Sequence, residues 1–251
     1  MQRLKLIACK ALYREFSFLT ATCGNFIDAT YLRQGLHDTP ALLNEALRNE
    51  IARIDDGDDI YSYKPRFGRD FDAIVLGYGL CSNGVIGLSS KKYKIVVPKT
   101  DDCIALVLGS YKKYKEYFDK HCGTFWYTPS WIENAYTPSE QREKSCLKEY
   151  TEKYGKENAK YIVETERTVK NYNRAAYAAW DEVHTAEHEA YTKQAAEYYG
   201  WDYERVGAEK TYLEDLLCGK WDERFLVVEP GQRIEADYDG NIIKAVDNEQ
   251  Q

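Results

Sequence analysis

Short apolar segments in the first half of the chain predict buried β-strands. Residues 4–9, 72–77 and 93–98 are apolar runs bounded by charged residues, Gly or Pro. Continuous runs of this length are typical of strands that are covered on both faces, as in a parallel sheet. Residues 26–32 alternate weakly between apolar and polar positions, which predicts a further strand.

A helix is predicted between these strands, over residues 40–54. Its apolar side chains recur every three or four positions, which gives the helix one apolar face. Asp38 or Thr39 can cap its first turn, and Pro40 suits that turn. Acidic residues 55–59 follow, and because they lack the spacing of a calcium-binding loop they predict a solvated turn.

The second half of the chain also alternates between the two kinds of element. Residues 136–199 have helical periodicity, interrupted near residues 171–176, and a helix is predicted to end at Gly200. Short strands are predicted at residues 177–180, 203–206 and 224–228. The predicted fold is therefore α/β, with mainly parallel sheets flanked by helices, Rossmann-like and two-lobed. The lobes are predicted at residues 1–130 and 131–235, followed by a polar tail at 236–251 that frays.

Charge and composition limit the choice of partners and compartment. The net charge is −7 and no basic block is present, so nucleic acid and anionic membrane surfaces are poor partners. The first residues contain no unbroken apolar segment, because Lys5, Lys10 and Arg14 interrupt it. No segment has the apolar length of a membrane span. We therefore expect a cytoplasmic protein.

Seven cysteines in a chain without a recognisable signal peptide do not indicate a disulfide framework. Three of them, Cys9, Cys81 and Cys103, lie at or just beyond the carboxyl end of a predicted strand. If those strands are parallel neighbours, the three thiols meet at one crevice, where α/β sheets bind their ligands. Thiolates select zinc, copper(I) or iron–sulfur iron, so the sequence predicts zinc or an iron–sulfur cluster. The alternative is that all three are small buried residues.

Other residues near this crevice are candidates for supporting roles. Asp102 and His37 are candidate proton carriers or a fourth ligand. Gly79 lies in a glycine loop that would let Cys81 and a ligand approach each other, and Trp131 could form a wall of the pocket. Gly77-x-Gly79 departs from the dinucleotide-binding pattern, so that cofactor is not favoured.

Two further features carry weaker predictions. Residues 184–188 match H-x-x-E-H, a pattern in which two histidines of one helix face bind zinc, but a solvated helix face is the favoured interpretation. Cys23, Cys122 and Cys146 are interpreted as incidental, and Cys218 as a residue of a helix core or helix end.

The chain resembles an uncharacterised domain-of-unknown-function family of anaerobic bacteria and methanogenic archaea. The resemblance extends over nearly the whole chain and rests on these pieces: Cys9 with Glu15, Leu36-His37 with Pro40, Tyr78-Gly79-Leu80-Cys81, Pro98 with Asp102-Cys103-Ile104 and Leu108-Gly109-Ser110, Thr128-Pro129 with Trp131, and Gly219-Lys220-Trp221-Asp222 with Phe225 and Pro230-Gly231. The chain departs from the family where Lys99 and Ser130 replace an expected Arg and Gly.

This resemblance implies a site and a metabolic setting. It implies that Cys9, Cys81, Asp102 and Cys103 belong to one site. Genes of the family lie beside corrinoid-dependent methyltransferase genes, which implies a role in anaerobic one-carbon metabolism. Three hypotheses follow: a metal-dependent protein acting on a small molecule, a non-catalytic accessory protein for a corrinoid methyltransferase component, and a metal-free enzyme with a nucleophilic cysteine.

Overall fold

A computed structural model describes residues 1–57, 70–165 and 171–248. The strands are β1 (Arg3–Cys9), β2 (Phe26–Leu32), β3 (Ala73–Gly77), β4 (Ile95–Pro98), β5 (Thr124–Tyr127), β6 (Arg174–Ala179), β7 (Asp202–Gly207), β8 (Phe225–Val228), β9 (Gln232–Asp237) and β10 (Ile242–Asp247). The α-helices are α1 (Tyr13–Thr22), α2 (Pro40–Asp55), α3 (Cys103–Leu108), α4 (Tyr111–Lys120), α5 (Pro129–Asn134), α6 (Glu140–Tyr154), α7 (Lys156–Thr165), α8 (Ala186–Tyr199) and α9 (Thr211–Cys218). Two short 3-10 helices cover Lys10–Leu12 and Leu36–Asp38.

The central sheet has the strand order β2-β1-β3-β4-β8. Its first four strands are parallel, and β8 joins β4 in the antiparallel direction. Every residue of β3 and β4 is buried, as their continuous apolar sequences require. The strands predicted at residues 4–9, 26–32, 72–77 and 93–98 are confirmed, and so is the helix predicted at 40–54.

Helices cover both faces of this sheet, which makes the fold a mixed α/β structure with a mostly parallel central sheet. On one face, side chains of α1, α3 and α9 form a buried cluster with β1, β3 and β4. On the other face, the apolar side of α2 packs against the alternate residues of the same strands. Neighbouring residues of β3 therefore point into different clusters, since a strand directs successive side chains to opposite faces.

A second sheet, with the parallel order β5-β6-β7, shares the first of these clusters. Trp126 of β5 and Ala176 of β6 are buried together with Leu4 of β1. Trp180, just after β6, donates its indole N–H to the carbonyl of Val107 in α3 at 2.8 Å. The predicted first lobe ends at residue 130, yet β5 pairs with β6, and β8 from the predicted second lobe pairs with β4.

The prediction that the end of the chain frays is wrong for residues 236–247, which belong to a hairpin over residues 232–247. These residues form the antiparallel hairpin of β9 and β10. Ile234 and Ile243 are buried in the cluster that contains α2, and the backbone N–H of Gly87 donates to the carbonyl of Ile234 at 2.7 Å. The hairpin is polar apart from a few inward side chains, so its sequence resembles that of a tail.

No helix in the described ranges is long and apolar enough to cross a bilayer. The acidic turn predicted at residues 55–59 ends outside the described residues, since only its first part, the end of α2 and the turn at Asp56 and Gly57, is described.

Candidate functional site

The three cysteines singled out by the sequence lie at one edge of the central sheet. Cys9 is the last residue of β1, Cys81 follows β3 by four residues, and Cys103 is the first residue of α3, shortly after β4. Strands β1, β3 and β4 are parallel neighbours, so their carboxyl ends meet at the same edge.

The loops after β3 and β4 are joined by backbone hydrogen bonds. The N–H of Leu80 donates to the carbonyl of Thr100 at 2.7 Å, and the N–H of Cys81 donates to the carbonyl of Asp101 at 3.3 Å. A Cβ atom at Gly79 would lie 2.8 Å from that Thr100 oxygen. Gly79 therefore lets the two loops pack closely.

The loop that carries Cys81 has an unusual backbone. Cys81, Ser82 and Asn83 have φ angles of 45°, 56° and 70°, in the left-handed region that non-glycine residues seldom adopt. Such a conformation costs on the order of 1–3 kcal/mol per residue and is concentrated at functional sites. The residue type explains this conformation at Asn83, because asparagine tolerates the left-handed region. It does not explain it at Cys81.

The three cysteines line one enclosed cavity. About 20 Å³ of it is open to a water-sized sphere, whereas one water needs roughly 10–15 Å³ of such space. Tyr78, at the end of β3, forms part of the inner wall. Trp131 of α5, which follows β5 of the second sheet, forms another part, so both sheets contribute to the cavity.

Two buried polar atoms of this wall lack a partner among the described residues. Within the described residues, neither the hydroxyl oxygen of Tyr78 nor the indole nitrogen of Trp131 has a hydrogen-bond partner. An unsatisfied buried polar group costs on the order of 1–3 kcal/mol. Buried polar groups of this kind usually bond to a water or a ligand. Tyr78 and Trp131 both line the cavity that contains the thiols.

Burial keeps the cavity thiols protonated. Burial raises the pKa of Cys9, and burial together with the charge of Asp102 raises the pKa of Cys81 to about 12. The same two causes raise the pKa of Cys103 well above its ordinary value. A thiol is an effective nucleophile only as the thiolate, so at neutral pH these thiols are poor nucleophiles.

The predicted proton carriers occupy different positions relative to the cavity. Asp102 is the N-cap of α3, where its carboxylate accepts from the N–H of Ile104 at 2.8 Å. His37 lies in the outer wall, with its Nε2 3.4 Å from the carboxylate of Asp38 and 43% of its side chain exposed. Arg33 also belongs to the outer wall and supplies a positive charge.

The predicted cofactors have suitable donors in this cavity, because thiolates are the ligands that a soft metal ion prefers. The open space of about 20 Å³ suits one ion better than a cluster of several iron and sulfide atoms. In residues 1–57, 70–165 and 171–248, no three His, Cys, Asp or Glu side chains form a group that could hold a metal ion. The thiols therefore share a cavity without being arranged around one point.

The H-x-x-E-H segment at residues 184–188 has a structural role. The hydroxyl of Thr185 caps α8 and lies 2.7 Å from Nδ1 of His188. His184 instead approaches the hydroxyl of Tyr177 at 3.2 Å through its Nδ1. The two histidines thus have separate partners, and Glu187 is exposed.

Sequence reasoning assigned no role to two residues, Tyr78 and Glu15, although both belong to the pieces that carry the family resemblance. Glu15 in α1 is fully buried, and the hydroxyl of Ser130, beside Trp131, donates to one of its oxygens at 2.5 Å. Among the described residues its second oxygen has no partner. Burial raises the pKa of Glu15 to about 7. The signal was present in the spacing, because Glu15 falls on the helical face that also holds Leu12 and Leu19.

Comparisons with known proteins give one result. A family model described as "Protein of unknown function (DUF1638)" matches residues 31–217, which is most of the chain. The matched range contains Cys81, Asp102, Cys103 and Trp131, whereas Cys9 and Glu15 precede it. No curated protein and no solved structure matches the chain.

Proposed function

We propose that this chain, which belongs to the family described as "Protein of unknown function (DUF1638)", binds a single soft metal ion, zinc in the first place, in the cavity lined by Cys9, Cys81 and Cys103. The observation that carries the proposal is the meeting of these three thiols, from three strand ends, on a closed cavity of about 20 Å³. The hydroxyl of Tyr78, which has no hydrogen-bond partner in the described part of the chain, supports a ligand in the same cavity.

Binding requires the thiols to turn toward a common point and to lose their protons. Because burial and the charge of Asp102 hold the proton on Cys81 and Cys103, metal affinity rises steeply with pH. The positive charge of Arg33, in the outer wall, offsets part of the negative charge of three thiolates. A zinc ion held by three thiolates with an open position supplies Lewis-acid chemistry.

The remaining parts of the functional prediction are proposals of the same kind. The cavity volume favours one ion over the iron–sulfur cluster. The raised thiol pKa values disfavour a metal-free nucleophilic cysteine. A role in anaerobic one-carbon metabolism, as an enzyme acting on a small molecule or as an accessory protein for a corrinoid methyltransferase component, rests on the family resemblance alone. We also propose that the two sheets are two Rossmann-like lobes, because β2, β1, β3 and β4 of the first sheet and all strands of the second are parallel.

Cobalt(II) and zinc titrations of protein purified without oxygen test this proposal. We expect one ion per chain, a thiolate-to-cobalt charge-transfer band, and loss of that band in Cys9→Ser, Cys81→Ser and Cys103→Ser. Cys122→Ser is the matched control, because Cys122 is exposed and lies outside the cavity. Full retention of metal by all three cavity variants, or a spectrum without thiolate ligands, would contradict the proposal.

A further inference from the structure

Two cysteines outside the cavity form a pair that the sequence did not predict. Cys23 is the residue that ends α1, and Cys218 is the last residue of α9. Most of the chain lies between them. Cys23 Sγ donates to the carbonyl of Leu217, the residue before Cys218, at 3.5 Å, and the Cys23 side chain is among the groups that raise the pKa of Cys218.

The surrounding contacts hold the two helix ends together. The side-chain amide of Asn25 donates to the same Leu217 carbonyl at 2.9 Å, and the backbone N–H of Asn25 donates to Cys23 Sγ at 3.3 Å. The loop after α1 is therefore fixed on the last turn of α9. Gly219, with φ of 77°, ends α9 immediately after Cys218.

The pair lies far from the cavity. Helix α1 starts beyond the carboxyl end of β1 and is followed by β2, which runs parallel to β1. The end of α1 is therefore near the amino edge of the sheet, whereas the cavity is at the carboxyl edge. Cys218 is exposed and Cys23 is partly buried, so reagents in solvent reach the pair through Cys218.

We infer that Cys23 and Cys218 are a redox modification site, at which a peroxide converts the two thiols to a reversible disulfide. The thiolate of Cys218 attacks one peroxide oxygen, which gives a sulfenic acid and releases water or the corresponding alcohol. The thiol of Cys23 then attacks the Cys218 sulfur, an S–S bond forms, and the sulfenic oxygen leaves as water. Two thiols lose two electrons and two protons in total, and the peroxide accepts them.

The pH dependence of this reaction follows from the same contacts. Burial and the neighbouring Cys23 raise the pKa of Cys218, whereas Lys220 lowers it. Glu214 adds to the raising effect. Because only the thiolate attacks peroxide, oxidation is slow at neutral pH and accelerates as the pH rises toward this pKa.

Peptide mapping of the full chain after hydrogen peroxide treatment tests the inference. We expect a loss of two hydrogen atoms in intact mass, a cross-linked peptide that joins Cys23 to Cys218, and reversal by dithiothreitol. The oxidised chain should unfold at a higher temperature, because the bond closes a very long loop of the unfolded chain. In Cys23→Ser, Cys218 should remain as a sulfenic acid that dimedone traps.

Controls separate this pair from the other thiols. Cys122→Ser and Cys146→Ser should form the cross-link at the wild-type rate. Metal titration of the cavity should be unchanged in Cys23→Ser, so the inference and the proposed function fail independently. Oxidation that is spread over other cysteines, or confined to sulfinic and sulfonic acids with no link between Cys23 and Cys218, would overturn the inference.

Discussion

The buried carboxyl group of Glu15 makes a quantitative prediction about stability and pH. It lies at the start of α1, where Ser130 of α5 donates to one oxygen and the other has no partner in the described part of the chain. Replacing Glu15 by Gln keeps the size of the side chain and an oxygen that can accept from Ser130, but removes the ionisation. The substitution therefore isolates the energetic effect of charging this group.

The magnitude follows from the pKa shift. Burial is the main cause that raises the pKa of Glu15 from 4.5 to about 7; the nearby carboxylate of Glu133 adds to it, whereas Ser130 and Arg14 oppose it. Because the folded state binds the proton more tightly than the unfolded state, stability is greatest below the unfolded pKa and falls as the pH rises toward the folded one. At about 1.4 kcal/mol per pKa unit, the shift amounts to about 3 kcal/mol.

Urea unfolding of wild type and Glu15→Gln, each from about pH 4.5 to about pH 8, measures this difference. We expect the stability of the variant relative to wild type to increase by about 3 kcal/mol across that range and to level off above pH 7. Ser130→Ala should steepen the dependence in the wild-type background, because the Ser130 hydrogen bond lowers the pKa of Glu15.

The control is Glu45→Gln, at an exposed position of α2. Its stability relative to wild type should vary little with pH. A flat difference for Glu15→Gln as well, or a difference that shrinks as the pH rises, would refute the argument that burial controls this carboxyl group.

Three further predictions concern the cavity and its supports. Asp102→Asn retains a good cap for α3, so it should leave the free energy of unfolding within about 0.5 kcal/mol of wild type. It removes the charge that holds protons on the cavity thiols, so it should accelerate their alkylation by iodoacetamide. Asp102→Ala, which loses the cap, should cost about 1 kcal/mol in urea unfolding. Gly79→Ala should destabilise by roughly 1–3 kcal/mol, because its Cβ would meet the Thr100 carbonyl, whereas Gly24→Ala, with no described atom within 4 Å of its Cβ, should be almost neutral. Tyr78→Phe removes a hydroxyl that lacks a partner within the described ranges and should leave the metal-free protein equally or more stable, while weakening cobalt(II) binding in titration.

Apolar patterning was sufficient to locate most of the fold. Strands β1, β3 and β4 of the central sheet lie in short apolar runs of the sequence, and a buried parallel strand needs little else. The hairpin at residues 232–247 was missed because each of its strands buries only one large aliphatic side chain, Ile234 or Ile243, among charged neighbours. Such a strand is stabilised by packing on another part of the protein, here the cluster that contains α2. The local sequence does not show where that partner surface is.

Proximity across the chain was harder to predict than position along it. The meeting of Cys9, Cys81 and Cys103 depends on β1, β3 and β4 being neighbours, a matter of strand order. The sequence does not give the strand order, so the meeting of the thiols was predicted only for the case in which these strands are parallel neighbours. Cys23 and Cys218 have no local pattern at all, because the contact of Cys23 with the last turn of α9 joins two helix ends that are distant in sequence. Tyr78 was missed because its hydroxyl is distinctive only for lacking a partner.

The antiparallel pairing of β8 with β4 has a consequence for synthesis of the chain. Ile95 of β4 pairs with Val228 of β8, which is synthesised much later. The edge of β4 therefore stays unpaired until β8 has been made. At roughly 5–20 residues per second, a ribosome needs on the order of ten seconds to reach β8. During that interval the unpaired backbone N–H and C=O groups at the edge of β4 can pair with strands of other chains. All the cysteines of the cavity have emerged well before then, so the nascent protein has the sheet edge that carries the cavity before it has the strand that covers the edge of β4.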